Sequence, residues 1–85
     1  MDSILISVKK SLGIEQEYTH FDPDIILHTN SALLTLNQIG IGPQIGFMIS
    51  GEQETWIDLL GERQDLEAVK TFLYLKVRLI FQSSR

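Results

Sequence analysis

Cysteine is absent from this sequence, which excludes disulfides and thiolate metal sites. No covalent cross-link therefore reinforces an 85-residue chain. That length makes one domain at most, spanning 1–85. About 60% of its unfolded surface can be buried, for a stability margin of about 5 kcal/mol. Partner subunits are the expected reinforcement. Positive charge is also scarce: 7 Lys and Arg stand against 11 Asp and Glu, a net charge of −4. Clamping nucleic acid without regard to sequence requires cations that displace phosphate counterions. Lys9, Lys10, Lys70, Lys76 and Arg78 are instead spread over two helical stretches. No apolar run reaches the roughly 18–20 residues that span a bilayer. The opening MDSILISVKKSLG has no positive segment ahead of its apolar residues and does not read as a signal peptide. A soluble, intracellular protein is expected.

Proline is limited to two positions, and neither it nor glycine interrupts Asp65 to Gln82. At about 100° per residue, Leu66, Val69, Leu73, Val77 and Ile80 fall on one stripe of a helix. Ala68, Phe72, Leu75 and Leu79 fall on a second stripe beside it. Glu67, Thr71, Arg78 and Gln82 leave only a narrow polar band, and Lys76 lies between the stripes, where its stem can snorkel outward. Asp65 is placed to cap the helix. A helix apolar on most sides must be covered from several directions, so this one is expected at the centre of the domain.

The remaining chain supplies what wraps it. Met1 to Leu12 is a short amphipathic helix, capped by Asp2 or Ser3 and ended by Gly13. Ile4, Leu5, Val8 and Leu12 form its apolar arc, with Lys9 and Lys10 opposite. Gly13 to Phe21 is a polar linker pinned by Ile14, Tyr18 and Phe21, with Phe21 set to staple the next helix. Asp22-Pro23-Asp24 is the strongest local signal: an N-cap, a proline at the first helical position and an acid at the positive helix end. That helix is expected to run to Ile39 and stop at Gly40. Ile25, Ile26, Ala32, Leu33, Leu36 and Ile39 share one face. Leu27 and Leu34 lie on the opposite, mostly polar face, either as scattered surface leucines or as a second contact surface. Gly40 to Thr55 is a long loop, and long loops in small domains are often functional. Phe47 to Ile49 is read as a brief strand in need of a partner edge, within a loop that reaches a neighbour or orders on assembly. Thr55 to Leu60 is a short helical turn ended by Gly61, in which Trp56, Leu59 and Leu60 cover one end of the central helix. The fold class is therefore all-α: three main helices and a short helical turn around the C-terminal helix, with one long loop.

Catalytic and cofactor chemistry finds little purchase. His20, Asp22, Asp24 and His28 could suggest a metal-dependent hydrolase, but HExxH is absent and both aspartates are explained by capping. Gly40, Gly42 and Gly46 miss the spacing of a dinucleotide loop and follow a helix; the Gly-Lys-Ser/Thr end of a P-loop is missing. No nucleophile stands in a strained elbow. No enzyme, cofactor or metal site is expected. A helix-turn-helix reader would want a compact turn and a basic recognition helix, which leaves a small dimeric helical regulator or DNA-binding module as the alternative reading.

The order of four segments carries a resemblance: MDSILISVKKSLGI, HFDPDIILHTNSALLTLNQIGIGP, ETWIDLL and DLEAVKTFLYLKVRLIF. Together they resemble the small head–tail connector proteins of phages and prophages of Gram-positive bacteria, over nearly the whole chain. The Asp22-Pro23-Asp24 start, Asn37-Gln38-Ile39-Gly40 with Gly42-Pro43, Trp56 and the Lys70 to Phe81 run carry most of it. The resemblance implies a non-enzymatic protomer of a dodecameric ring. That ring docks beneath the portal protein, extends the DNA channel without binding DNA specifically, and receives the next neck or tail-completion protein. It places the protein in the virion neck, and in the host cytoplasm before assembly, with no membrane role. Members of that family continue with a proline break and a further charged helix, whereas this sequence stops at Gln82-Ser83-Ser84-Arg85; if that helix covers the second stripe, Phe72, Leu75 and Leu79 are expected exposed or covered by a partner. Leu27, Leu34, Phe47, Met48 and Trp56 are the expected partner-contact residues.

Overall fold

A computed structural model describes residues 3–41, 46–61 and 66–83 of the chain. Four helices follow one another among them: α1 Ile4–Ser11, α2 Asp22–Gln38, α3 Trp56–Leu60 and α4 Leu66–Ser83. The all-α expectation holds, and α2 and α4 form the main packing pair, with α1 laid against both. The expected caps at Asp2 and Asp65, and the Gly42-Pro43 turn, lie outside the described residues.

The helix ends follow from local chemistry. The Ser3 hydroxyl accepts from the Ile6 amide at 3.3 Å and so starts α1. Gly13 and Gly40 both take positive φ, 78° and 92°. Each lets the chain fold back on the last turn. Gly13 N donates to Lys10 O while Ile14 N donates to Lys9 O; Gly40 N donates to Asn37 O while Ile41 N donates to Leu36 O. These paired bonds satisfy carbonyls that the helix leaves open, which is why α1 and α2 stop where the glycines predict. Thr55 starts α3 with a reciprocal box: its hydroxyl accepts from Asp58 N at 3.2 Å, and Asp58 Oδ2 accepts from Thr55 N at 3.0 Å. At the C-terminal end of α1, Arg78 of α4 donates to Ser11 O at 2.7 Å, placing a cation at the negative helix end.

The core is one cluster. Ile4, Leu5 and Val8 of α1 meet Ile25, Ala32, Leu33 and Leu36 of α2 and Val69, Leu73, Val77 and Phe81 of α4. Trp56, Leu59 and Leu60 of α3 close one end as expected. The Trp56 ring stands edge-on to Tyr74, donates from Nε1 to Ser7 Oγ at 3.1 Å and carries the Lys70 ammonium 5.5 Å from its centroid. Ile4 N donates to Glu54 O at 3.0 Å, which ties the segment entering α3 to the start of α1.

Five expectations are corrected. Lys9 is not on an exposed face: it is fully buried. Its Nζ donates to Gln16 O at 2.9 Å and pairs with Asp22 Oδ1 at 2.9 Å. Asp22 is in turn not the cap of α2. It is the first helical residue, and its carboxylate is committed to Lys9. Phe21 takes the cap position itself rather than the residue before it, and its ring meets Phe81 of α4 edge-on at 5.4 Å. Residues 47–49 form no strand; Ile49 is bonded to a side chain of α2 instead. Ile39, expected in the core face, is exposed because α2 ends one residue before it.

Candidate partner-contact surface

The outward face of α2 follows from its period. Ile25, Thr29, Ala32, Leu33 and Leu36 are buried against the core, and Leu27 and Leu34 fall on the opposite side. They remain 62% and 59% exposed. The segment after α2 is brought back alongside that face by one residue. Asn30 Oδ1 accepts from Ile49 N at 2.7 Å, and Asn30 Nδ2 donates to Ile49 O at 3.0 Å. The carboxamide thus takes the place of a neighbouring strand, satisfying both backbone groups of a residue whose side chain is buried. With Ile49 turned inward, the next residue in an extended chain turns outward, and Met48 is 70% exposed.

Leu27, Leu34, Phe47 and Met48 thereby line one concave groove of about 490 Å³, with Asn30 and Asn37 on its wall. Four of the five residues expected at a partner contact are brought together. Trp56 is not among them: at 3% exposure it belongs to the core. Asn30 is the residue that sequence reasoning missed. A carboxamide on a polar helix face carries no periodic signal that distinguishes a solvated side chain from one that grips a distant loop.

A second apolar surface lies on α4. Val69, Leu73 and Val77 face the core, so Leu75 and Leu79 point away from it, 56% and 68% exposed. Phe72, from the same stripe, is partly buried against the core. Lys76, beside the two leucines, is exposed.

Both histidines stand beside aromatic rings. His20 packs edge-on against Phe21 at 4.9 Å, and His28 stands 6.4 Å from the Phe81 ring. Among the described residues no three His, Asp or Glu side chains gather at metal-binding distance. Glu54 closes a tight turn, its carboxylate accepting from Ser50 Oγ at 2.9 Å and from Gly51 N at 3.4 Å. Desolvation pushes its carboxyl upward, but the Ser50 and backbone hydrogen bonds outweigh it and hold the group below its ordinary 4.5. Among the described residues no helix is long and apolar enough to cross a membrane.

The all-α fold leaves apolar side chains exposed on the outward faces of α2 and α4. The model of the phage connector proteins matches residues 4–85, and the chain belongs to that family. It is a structural family, and membership makes this protein a virion component of the phage head–tail connection. No curated protein and no solved structure matches the chain.

Proposed function

We propose that the chain is a single-domain, non-enzymatic protomer of a ring that docks on the portal, extends the DNA channel and receives the next neck protein. The observation that carries this reading is the groove: Leu27, Leu34, Phe47 and Met48 converge on one surface that the protomer itself leaves uncovered. Removing those side chains from water is the available driving force, at about 1.5–3 kcal/mol for each large side chain fully buried. Association costs about 4–15 kcal/mol in lost freedom. One such contact is therefore weak in solution, and a ring templated by the portal is the stable product. The net charge of −4 suits a wall past which DNA slides, since it offers phosphates few partners.

The test is Leu34→Asp. Its side chain is 59% exposed, so the variant keeps its helical circular dichroism. Burying a carboxylate in the contact is predicted to weaken binding to the cognate portal ring more than tenfold, read by co-sedimentation and light scattering. Wild-type assembly on the portal by a folded Leu34→Asp protein would remove the groove from the contacts that build the ring.

A further inference from the structure

We propose that the α2 groove of one copy receives the Leu75–Leu79 ridge of α4 from the next copy, in a head-to-tail contact. The inference rests on the connector reading and specifies which two surfaces meet between protomers. Three observations support it. α2 and α4 bury their inner faces mainly against each other, and Leu27/Leu34 and Leu75/Leu79 lie on the outer face of each. The two apolar surfaces therefore face away from one another across the protomer. A patch on each side is the arrangement of a heterologous contact, in which every copy both gives and receives; a two-fold dimer would use one patch twice and leave the other in water.

The shapes also differ in the required sense. The α2 surface is concave, walled by Phe47 and Met48 and about 490 Å³ in volume. The α4 surface is a convex pair of leucines one helical turn apart. Two grooves could not interdigitate, and two paired ridges would leave both grooves in water; one of each covers both surfaces. The charges are complementary as well. The described lining residues carry no charge, and one turn before Leu27 stands Asp24, exposed at the start of α2. The ridge carries the exposed Lys76 between its leucines. With Leu75 and Leu79 in the groove, Lys76 of one copy is set to meet Asp24 of the next.

The absence of native cysteine makes the test clean. Leu34→Cys and Leu79→Cys proteins are oxidised separately and as a mixture at high concentration, alone and on the portal ring. The contact predicts that the mixed pair cross-links at least tenfold more than either variant with itself. Self-linked Leu79→Cys dimers would replace the head-to-tail contact with a two-fold α4 dimer. Equal or absent cross-linking in all three samples, both alone and on the portal, would overturn it as well. A second measurement uses charge: Asp24→Lys and Lys76→Glu each weaken self-association up to about fivefold, and the double variant recovers it. No recovery would count against the register. Portal binding is read in parallel. Retained portal binding without mixed cross-links refutes this contact alone; mixed cross-links without portal binding refute the connector reading and leave the contact standing.

Discussion

Asp22→Ala is predicted to damage the fold far more than its position at a helix start suggests. Asp22 faces Lys9, whose side chain has no exposed surface and whose Nζ otherwise reaches Gln16 O alone among the described residues. Truncating Asp22 leaves a buried ammonium with one carbonyl, a situation that costs about 3–5 kcal/mol. Lys9→Met is the milder change. Methionine refills the buried stem, and the stranded Asp22 side chain is 18% exposed. Oδ1 is itself buried, so hydration falls to the other oxygen, and the carboxylate sits in the first turn of α2, where the helix end favours a negative charge. About 2 kcal/mol is the expected loss.

The double variant removes both charges together. It is predicted to be no less stable than Asp22→Ala alone, giving a coupling of at least about 2 kcal/mol. Urea unfolding of the four proteins provides the numbers, with midpoints compared at constant slope. A loss of about 3 kcal/mol corresponds to a drop of roughly 12–24 °C in melting temperature for a domain of this size. The reasoning fails if Asp22→Ala costs under about 0.5 kcal/mol, as an ordinary exposed residue would, or if the two effects simply add.

Three further outcomes are expected. Asn30→Ala removes both bonds to the Ile49 backbone and should cost about 1–3 kcal/mol locally. Hydrogen exchange at the Ile49 amide would accelerate while the α4 amides stay protected; unchanged exchange at Ile49 would refute the clamp. Thr29 is fully buried, and its hydroxyl has no hydrogen-bond partner among the described residues, so Thr29→Val should raise stability by about 1 kcal/mol; a lower urea midpoint would show that the hydroxyl is satisfied. Glu54 has a carboxyl held below 4.5 in the folded protein. Its turn therefore contributes stability that is fully present above that value and is lost as pH falls through the lower folded value. Side-chain NMR titration of Glu54 in wild type and Ser50→Ala checks this, and a midpoint at or above 4.5 in the wild type would contradict it.

Periodicity and punctuation in the sequence determined the helices. An uninterrupted two-stripe pattern made α4, and glycines at 13 and 40 ended α1 and α2 through bonds that only a left-handed residue allows. These are interactions within a few residues of each other, so the chain carries their rules locally. The same period marked Leu27 and Leu34 as outward, and loop length pointed to Phe47 and Met48. Family membership was also legible, because it resides in the order of such signals along the chain.

What only the tertiary structure decided is the use of the polar groups. Asp22 satisfies every local rule for a cap, yet its carboxylate pairs with Lys9, thirteen positions earlier in the chain. Lys9 sits on the lysine side of α1 by pattern, and is buried because the linker folds over it and Gln16 O accepts its hydrogen bond. Asn30 reaches Ile49 across nineteen residues. A charge or carboxamide has partners wherever the fold delivers them, and its desolvation cost is met by geometry that no spacing encodes. Trp56 shows the same limit from the apolar side: a single large ring can fill a core or a partner's pocket, and packing of Ser7, Lys70 and Tyr74 around it settled it as core.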